Sequence, residues 1–140
     1  MSGAAGRGAE SDEAMLILVI GSALRAVCGD PAALGLTFVE ETRTQPRYRL
    51  YALDGRFAGL VDVGEAGGGS SVPGELVEIP RSLLEAVQAS EPAGVSQAAT
   101  LLADGRSVSC AHIDLAVVGA AAVDITSWGG FLPYWRSLQG

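Results

Sequence analysis

The chain has 140 residues, 49% of them apolar, and a formal net charge of −7 at pH 7. This length predicts one domain that buries about two thirds of its unfolded surface. The acidic balance argues against nucleic acid or anionic membranes as partners, because both need a cationic protein surface.

The residue types that are missing exclude several mechanisms. All nine basic residues are arginine, and the absence of lysine excludes a Walker A loop, a Schiff-base lysine and a serine–lysine centre. One histidine and two cysteines do not make a standard zinc site, so we expect no metal and no cofactor. Cys28 and Cys110 are far apart in the sequence, which predicts reduced thiols.

The N-terminal residues differ in composition from the rest. Residues 1–13 are rich in glycine, alanine and charge, which predicts a disordered segment before one domain at 14–140. They do not resemble a signal peptide, and the apolar run at 14–20 is too short to cross a bilayer. We therefore expect a cytoplasmic protein.

The first predicted strand, at 15–20, is apolar on both faces, which predicts a central position in a sheet. A short helix follows within 23–35, and extended segments follow at 36–44 and 47–53. Asp54-Gly55 and Asp104-Gly105 each separate two extended runs, which predicts two hairpins with type I′ turns. Residues 74–80 form a further predicted strand that ends at a proline.

Helical signals are strongest after that strand. Ser82 and Glu85 form an S-x-x-E capping box, and apolar residues recur at helical spacing until Pro92. Residues 115–124 stay undecided between helix and strand. Asp124 and Thr126 are predicted to cap a following segment, whose aromatic residues pack in the core or form a partner-binding patch. About six short strands with few helices predict an α+β domain built on a small mixed β-barrel.

Four motifs follow one another along the chain: GSAL (21–24), TRTQPRYRLYAL (42–53), GELVEIP (74–80) and DITSWGG (124–130). This order resembles the C-terminal domain of allophanate hydrolase, which belongs to the gamma-glutamylcyclotransferase-like superfamily, over roughly residues 15–136. The resemblance implies a stand-alone small barrel with flanking helices. It also implies a polar-ligand pocket at the turn after the first strand, where Gly21 lets backbone N–H groups approach the ligand.

The departures from the family pattern concern catalysis. The allophanate hydrolase domain has a histidine in this turn, and Ala23 stands in its place and cannot transfer protons. The cyclotransferases use a glutamate after the short helix as general base, and Glu91 falls at about that position, followed by Pro92 where they usually have glycine. Glu91 is therefore the candidate catalytic residue, and a solvated surface carboxylate is the alternative interpretation.

Candidate ligand-binding residues come from two segments. Arg49 and Tyr51 share one face of a strand, where Arg49 either binds a carboxylate or lies on the surface. With the turn residues, the predicted ligand-binding set is Gly21, Ser22, Ala23, Leu24, Arg49 and Tyr51. Cys110 and His112 also share a face, and a core thiol beside a hydrogen-bonded histidine is favoured over a catalytic dyad.

Three hypotheses for function follow. In the first, the chain binds or processes a small carboxylated or amide metabolite of the urea and allophanate type, with catalysis weakened or lost. In the second, it is a gamma-glutamylcyclotransferase-type enzyme with Glu91 as base. In the third, it is a non-catalytic module that binds a protein partner or a second copy of itself.

Overall fold

The computed structural model describes residues 12–139 as a mixed eight-stranded sheet with short helices around it. The strands are β1 (Ala14–Val19), β2 (Thr37–Arg43), β3 (Tyr48–Leu53), β4 (Phe57–Asp62), β5 (Pro73–Pro80), β6 (Val95–Leu101), β7 (Ser107–Ile113) and β8 (Ala122–Asp124). The α-helices are α1 (Arg25–Cys28), α2 (Arg81–Ser90), α3 (Leu115–Val118) and α4 (Phe131–Gln139). Single 3₁₀ turns lie at Pro31–Leu34, Gly119–Ala121 and Thr126–Trp128.

The strand order is β2-β5-β1-β7-β4-β3-β8, and β6 pairs with β7 outside this path. Two parallel strands pair with different parts of β7. Strand β1 pairs with it at Ser109 and Cys110, and β4 pairs with it at His112. Since β6 occupies the opposite edge of β7 along its length, β1 and β4 share the remaining edge. The chain that leaves β1 therefore comes against β4, and this junction positions the site.

The predicted α+β class is confirmed, and the predicted barrel is not, because the sheet is not closed. The ends of β2 and β6 meet at an isolated bridge between Thr44 and Leu102. Beside this bridge, Ala103 N donates to Arg43 O and Gln45 N donates to Leu101 O. The strand count is eight rather than about six. One additional strand is β8, which lies in the segment that the sequence left undecided and pairs with β3.

Residues in β1 contact two separate core clusters. Leu18 belongs to the larger cluster, which contains Tyr48 and Leu60, whereas its neighbour Ile17 belongs to the second cluster with Leu84 of α2. Successive side chains of a strand point to opposite faces, so both faces of β1 are covered. The predicted central position of this strand is confirmed, since β1 lies between β5 and β7.

Both predicted hairpins form, but their turns differ. Asp54 and Gly55 have φ values of 57° and 69°, as the two central residues of a type I′ turn require. At the second hairpin, Gly105 has a φ of 94° while Asp104 does not adopt positive φ. This loop contains three residues, 103–105, between the hydrogen-bonded pair formed by Leu102 N and Arg106 O. The type I′ prediction is therefore wrong at the second hairpin, where glycine takes the left-handed position of a three-residue loop.

Helix α2 forms as predicted, but its capping box does not. Its N-cap is Pro80, and no side chain of the helix caps it. The backbone N–H of Ser82 instead donates to Asp12 Oδ1 at 2.8 Å. Because Ala14 pairs with Pro80 at the start of the helix, the residues before β1 reach this end, which local spacing does not reveal.

The other N-terminal residues predicted to be disordered, 1–11, lie outside the described residues. Within residues 12–139, no helix combines the length and the apolar character needed to cross a membrane.

Candidate functional site

A cavity of about 330 Å³ lies between the turn after β1 and the C-terminal end of α2. Gly21, Ser22 and Ala23 line it from the turn, and Glu91 lines it from the residue that follows the helix. The structure therefore brings four of the seven predicted site residues to one cavity. Its size falls at the lower end of the range of small-molecule sites.

Gly21 is buried at the junction between β1 and β4. A Cβ atom at this position would lie 2.9 Å from the Cβ of Ala58 in β4, a distance that real Cβ atoms essentially never adopt. Its φ is not in the left-handed region, so the backbone conformation does not require glycine. Packing against Ala58 requires it, which adds a steric reason to the predicted approach of a ligand.

Hydrogen bonding within the turn is incomplete among the described residues. Leu24 N donates to Gly21 O at 3.0 Å, which closes the turn. None of the described residues accepts a hydrogen bond from the N–H of Ser22 or Ala23, although both residues line the cavity. Adjacent free N–H groups in a turn are suited to binding a carboxylate or carbonyl oxygen.

Glu91 has an unsatisfied oxygen at the cavity. Helix α2 ends at Ser90, and Glu91 has extended backbone angles (φ −70°, ψ 145°), which are those favoured before a proline. Its Oε1 atom is buried and has no hydrogen-bond partner among the described residues. Burial raises the pKa of the Glu91 carboxyl, and a hydrogen bond between this carboxyl and the Gln97 side chain acts in the opposite direction. A half-buried carboxylate with a raised pKa has the properties of a general base.

Gln97 on β6 is a further candidate site residue, which the sequence did not indicate. It lines the same cavity opposite Ala111 of β7, and its Oε1 atom is buried without a hydrogen-bond partner in the described part of the chain. The sequence signal for it is weak: Gln97 is a long polar side chain between the small residues Ser96 and Ala98 of β6. Only the pairing of β6 with β7 shows that this side chain reaches Glu91.

Three predicted ligand-binding residues do not line this cavity. Leu24 is buried in the larger core cluster and borders a separate cavity of about 480 Å³. Arg49 and Tyr51 share the outer face of β3, as their alternation predicts. Arg49 binds Asp124 Oδ2 and Gly68 O, each at 2.7 Å, so its guanidinium is engaged away from the turn.

Cys110 and His112 do not have the properties of a catalytic dyad. The Cys110 thiol is fully buried, and desolvation raises its pKa to about 12, so it stays protonated at neutral pH. His112 Nε2 is 2.8 Å from Thr100 Oγ1, and its ring meets the edge of Tyr48. Burial lowers the pKa of His112. This is the core thiol and hydrogen-bonded histidine that the sequence favoured.

The C-terminal aromatic residues divide between core and surface. Phe131 is fully buried, whereas Trp128 is 46% exposed and packs edge-on against Tyr134. The residues that the structure describes contain no group of three His, Cys, Asp or Glu side chains arranged to hold a metal ion.

Comparisons with known proteins place this fold in a family. The family model of the allophanate hydrolase C-terminal domain matches residues 15–136. A comparison with curated proteins gave no match.

Several solved structures have the same fold. The E. coli protein c4763, described as specific to uropathogenic strains, is 30% identical, with a TM-score of 0.73 over 91% of this chain and 97% of that one. Allophanate hydrolase of Kluyveromyces lactis is 24% identical, with a TM-score of 0.76 over 91% of this chain and 22% of that one. An AIG2-like protein of Mus musculus is 20% identical, with a TM-score of 0.52 over 85% of this chain and 86% of that one. The family match covers most of the chain, which therefore belongs to the allophanate hydrolase C-terminal domain family.

Proposed function

We propose that this chain binds a small metabolite with a carboxylate or amide group, of the urea and allophanate type, in the cavity beside Gly21. The observation that supports this most directly is the meeting of free backbone donors and an unpartnered carboxylate oxygen at one cavity. The N–H groups of Ser22 and Ala23 bind an oxygen of the ligand, and Glu91 accepts a hydrogen bond from its nitrogen.

Ala23 restricts the chemistry of this site. A methyl group neither transfers protons nor donates hydrogen bonds, so any proton transfer falls to Glu91. The raised pKa of Glu91 matches that role, because a base works best when its pKa is close to the working pH.

Glu91 also supports a second candidate function, that of a gamma-glutamylcyclotransferase. In that reaction the α-amine of a γ-glutamyl amide attacks the γ-carbonyl carbon, and the bond from that carbon to the amide nitrogen breaks. Glu91 takes a proton from the attacking amine and returns it to the departing amine. The products are 5-oxoproline and the free amine.

Calorimetric titration with malonamate, which carries one carboxylate and one amide, tests the binding proposal. We expect the wild-type chain to bind it and Glu91→Gln to weaken binding about tenfold, because a charge-assisted hydrogen bond becomes neutral. Glu85→Gln is the matched control, since Glu85 is exposed on α2 and does not line the cavity. Absence of binding, or equal affinity in the Glu91 and Glu85 variants, would contradict the proposal.

The second candidate function is tested by product release. It predicts 5-oxoproline from γ-glutamyl amides with the wild-type chain and with Glu85→Gln, and none with Glu91→Gln. Equal rates in all three proteins, or no product from any of them, would exclude it.

A further inference from the structure

Two unsatisfied acceptors lie together in the cavity. Glu91 Oε1 and Gln97 Oε1 are both buried, and neither has a hydrogen-bond partner among residues 12–139. They come from different elements, the end of α2 and strand β6, so no local turn explains the arrangement. A buried polar atom without a partner destabilises the protein, and a ligand with N–H donors removes that cost on binding.

The same cavity also offers donors on another wall. The N–H groups of Ser22 and Ala23 lack acceptors in the described part of the chain. Donors and acceptors together match a primary carboxamide, whose oxygen accepts two hydrogen bonds and whose nitrogen donates two. A carboxylate would accept hydrogen bonds from the turn, but it has no N–H to donate to Glu91 Oε1 and Gln97 Oε1. Those two acceptors would therefore stay unpartnered.

The rest of the lining is largely apolar. It comes from β1, β5, α2, the start of β4 and the 3₁₀ turn before β2, and includes Ile17, Leu34, Phe57, Ile79, Leu83 and Val87. Leu34 and Val87 remain 48% and 38% exposed, so their apolar surfaces are accessible to a ligand. A ligand of purely polar character leaves this wall uncovered, whereas an aliphatic substituent buries it.

We infer that the cavity selects a primary carboxamide with an aliphatic substituent, and that Gln97 is a specificity-determining residue for the amide N–H. This inference rests on the proposed function, since it specifies the amide rather than the carboxylate alternative for the same cavity and adds an aliphatic substituent. The carboxamide oxygen binds the turn, its nitrogen donates to Glu91 and Gln97, and the substituent packs against the apolar wall.

Three probes test this inference by titration. The reference is 4-methylpentanamide, which is compared with acetamide, which lacks the aliphatic substituent, and with 4-methylpentanoate, which lacks the N–H donors and carries a negative charge. We expect 4-methylpentanamide to bind at least about tenfold more tightly than either of the others. Equal affinity for the amide and the carboxylate would overturn the inference.

Substitution of Gln97 gives the second part of the test. Gln97→Met keeps the side-chain length and removes the acceptor, so we expect about tenfold weaker binding of 4-methylpentanamide and no change for 4-methylpentanoate. Gln88→Met is the control, because Gln88 is exposed on α2 outside the cavity. Unchanged amide affinity in Gln97→Met would overturn the role of this residue.

The titrations with malonamate and with the three probes separate an error in the ligand class from an error in the proposed function. If malonamate binds in a Glu91-dependent way while 4-methylpentanamide is no better than acetamide, the substrate class is wrong and the site stands. If neither malonamate nor any of the three probes binds, both are wrong.

Discussion

Gly21 and Ala58 show how closely two strands approach at the edge of the cavity. The smallest possible side chain on β4 already occupies the space that a Cβ atom at Gly21 would need. Glycine is therefore required where β1 and β4 share one edge of β7. This packing accounts for the glycine by itself, and the approach of a ligand to the same residue stays a prediction.

Gly21→Ala is expected to destabilise the protein by about 1–3 kcal/mol, because the added methyl group must displace β4. Ala58→Gly removes the clashing atom, so the double variant should lose less stability than the sum of the two single variants. Urea denaturation of the four proteins measures this coupling. Strictly additive losses would show that the two positions do not contact each other.

Glu91 should make stability depend on pH in a defined direction. Its pKa is raised in the folded state, so between the unfolded value and the folded value the native protein binds more protons, and stability falls as pH rises. Glu91→Gln removes this cost and should melt at a higher temperature than the wild type at pH 8. The difference should shrink as pH falls through the raised pKa and vanish below about pH 4. Thermal denaturation across pH checks this, and a lower melting temperature for Glu91→Gln at pH 8 would contradict it.

The sequence pointed to some of the residues that line the candidate cavity and not to others. Glu91 and the turn residues were found through motif order, since both lie at fixed places in the chain relative to β1 and α2. Gln97 belongs to no motif, and its role depends on where β6 pairs. Arg49 has the right chemistry for an anion, but the position of Asp124 on the neighbouring strand β8 decides what it binds.

Helix α2 shows that local sequence patterns predict where a helix forms more reliably than they predict which residue caps it. Apolar spacing predicted the helix, which buries Leu84 in the second core cluster. The S-x-x-E pattern then predicted a cap from within the helix. The acceptor is in fact Asp12, 70 positions away from Ser82 in the sequence, because β1 and β5 are antiparallel and bring the two segments together.

Two alanine substitutions distinguish capping by Asp12 from the predicted capping box of Ser82 and Glu85. Asp12→Ala should lower the melting temperature, since it removes the acceptor for both the backbone N–H and the side chain of Ser82. Ser82→Ala keeps the hydrogen bond of the backbone N–H and should lose clearly less stability. The hydrogen bond also lowers the pKa of Asp12, so its contribution is present above pH 3.8 and lost as pH falls through the lowered value. Thermal denaturation at pH 7 compares the two variants. A loss for Ser82→Ala equal to that for Asp12→Ala would support the capping box instead.

For the whole molecule, the C-terminal segment is joined to the sheet by a buried side chain. Thr126 Oγ1 accepts a hydrogen bond from Leu50 N at 2.8 Å and donates to Asp124 Oδ1 at 2.6 Å. Asp124 Oδ1 also accepts from the N–H of Thr126, so the predicted capping role holds for Asp124. Thr126 has a different role. Strand β8 ends at Asp124, and the Thr126 hydroxyl takes over as hydrogen-bond acceptor for the backbone N–H of Leu50 in β3.

Thr126→Val is expected to cost about 1–3 kcal/mol of stability, because the buried N–H of Leu50 loses its acceptor while side-chain volume is kept. Thr126→Ser retains the hydroxyl and should lose clearly less. Chemical denaturation of both variants measures the difference. Equal losses would assign the effect to the methyl group rather than to the hydrogen bond.

The sequence by itself determined the order and type of most elements, the central place of β1 and the family. These depend on local periodicity, on turn residues and on motif order, all of which are written along the chain. Tertiary structure alone decided that the sheet stays open, that Asp12 caps α2, that Arg49 pairs with Asp124 and that Gln97 joins Glu91 at the cavity. Each of these depends on which distant strands become neighbours, and that choice follows from the packing of the whole core rather than from any short stretch of residues.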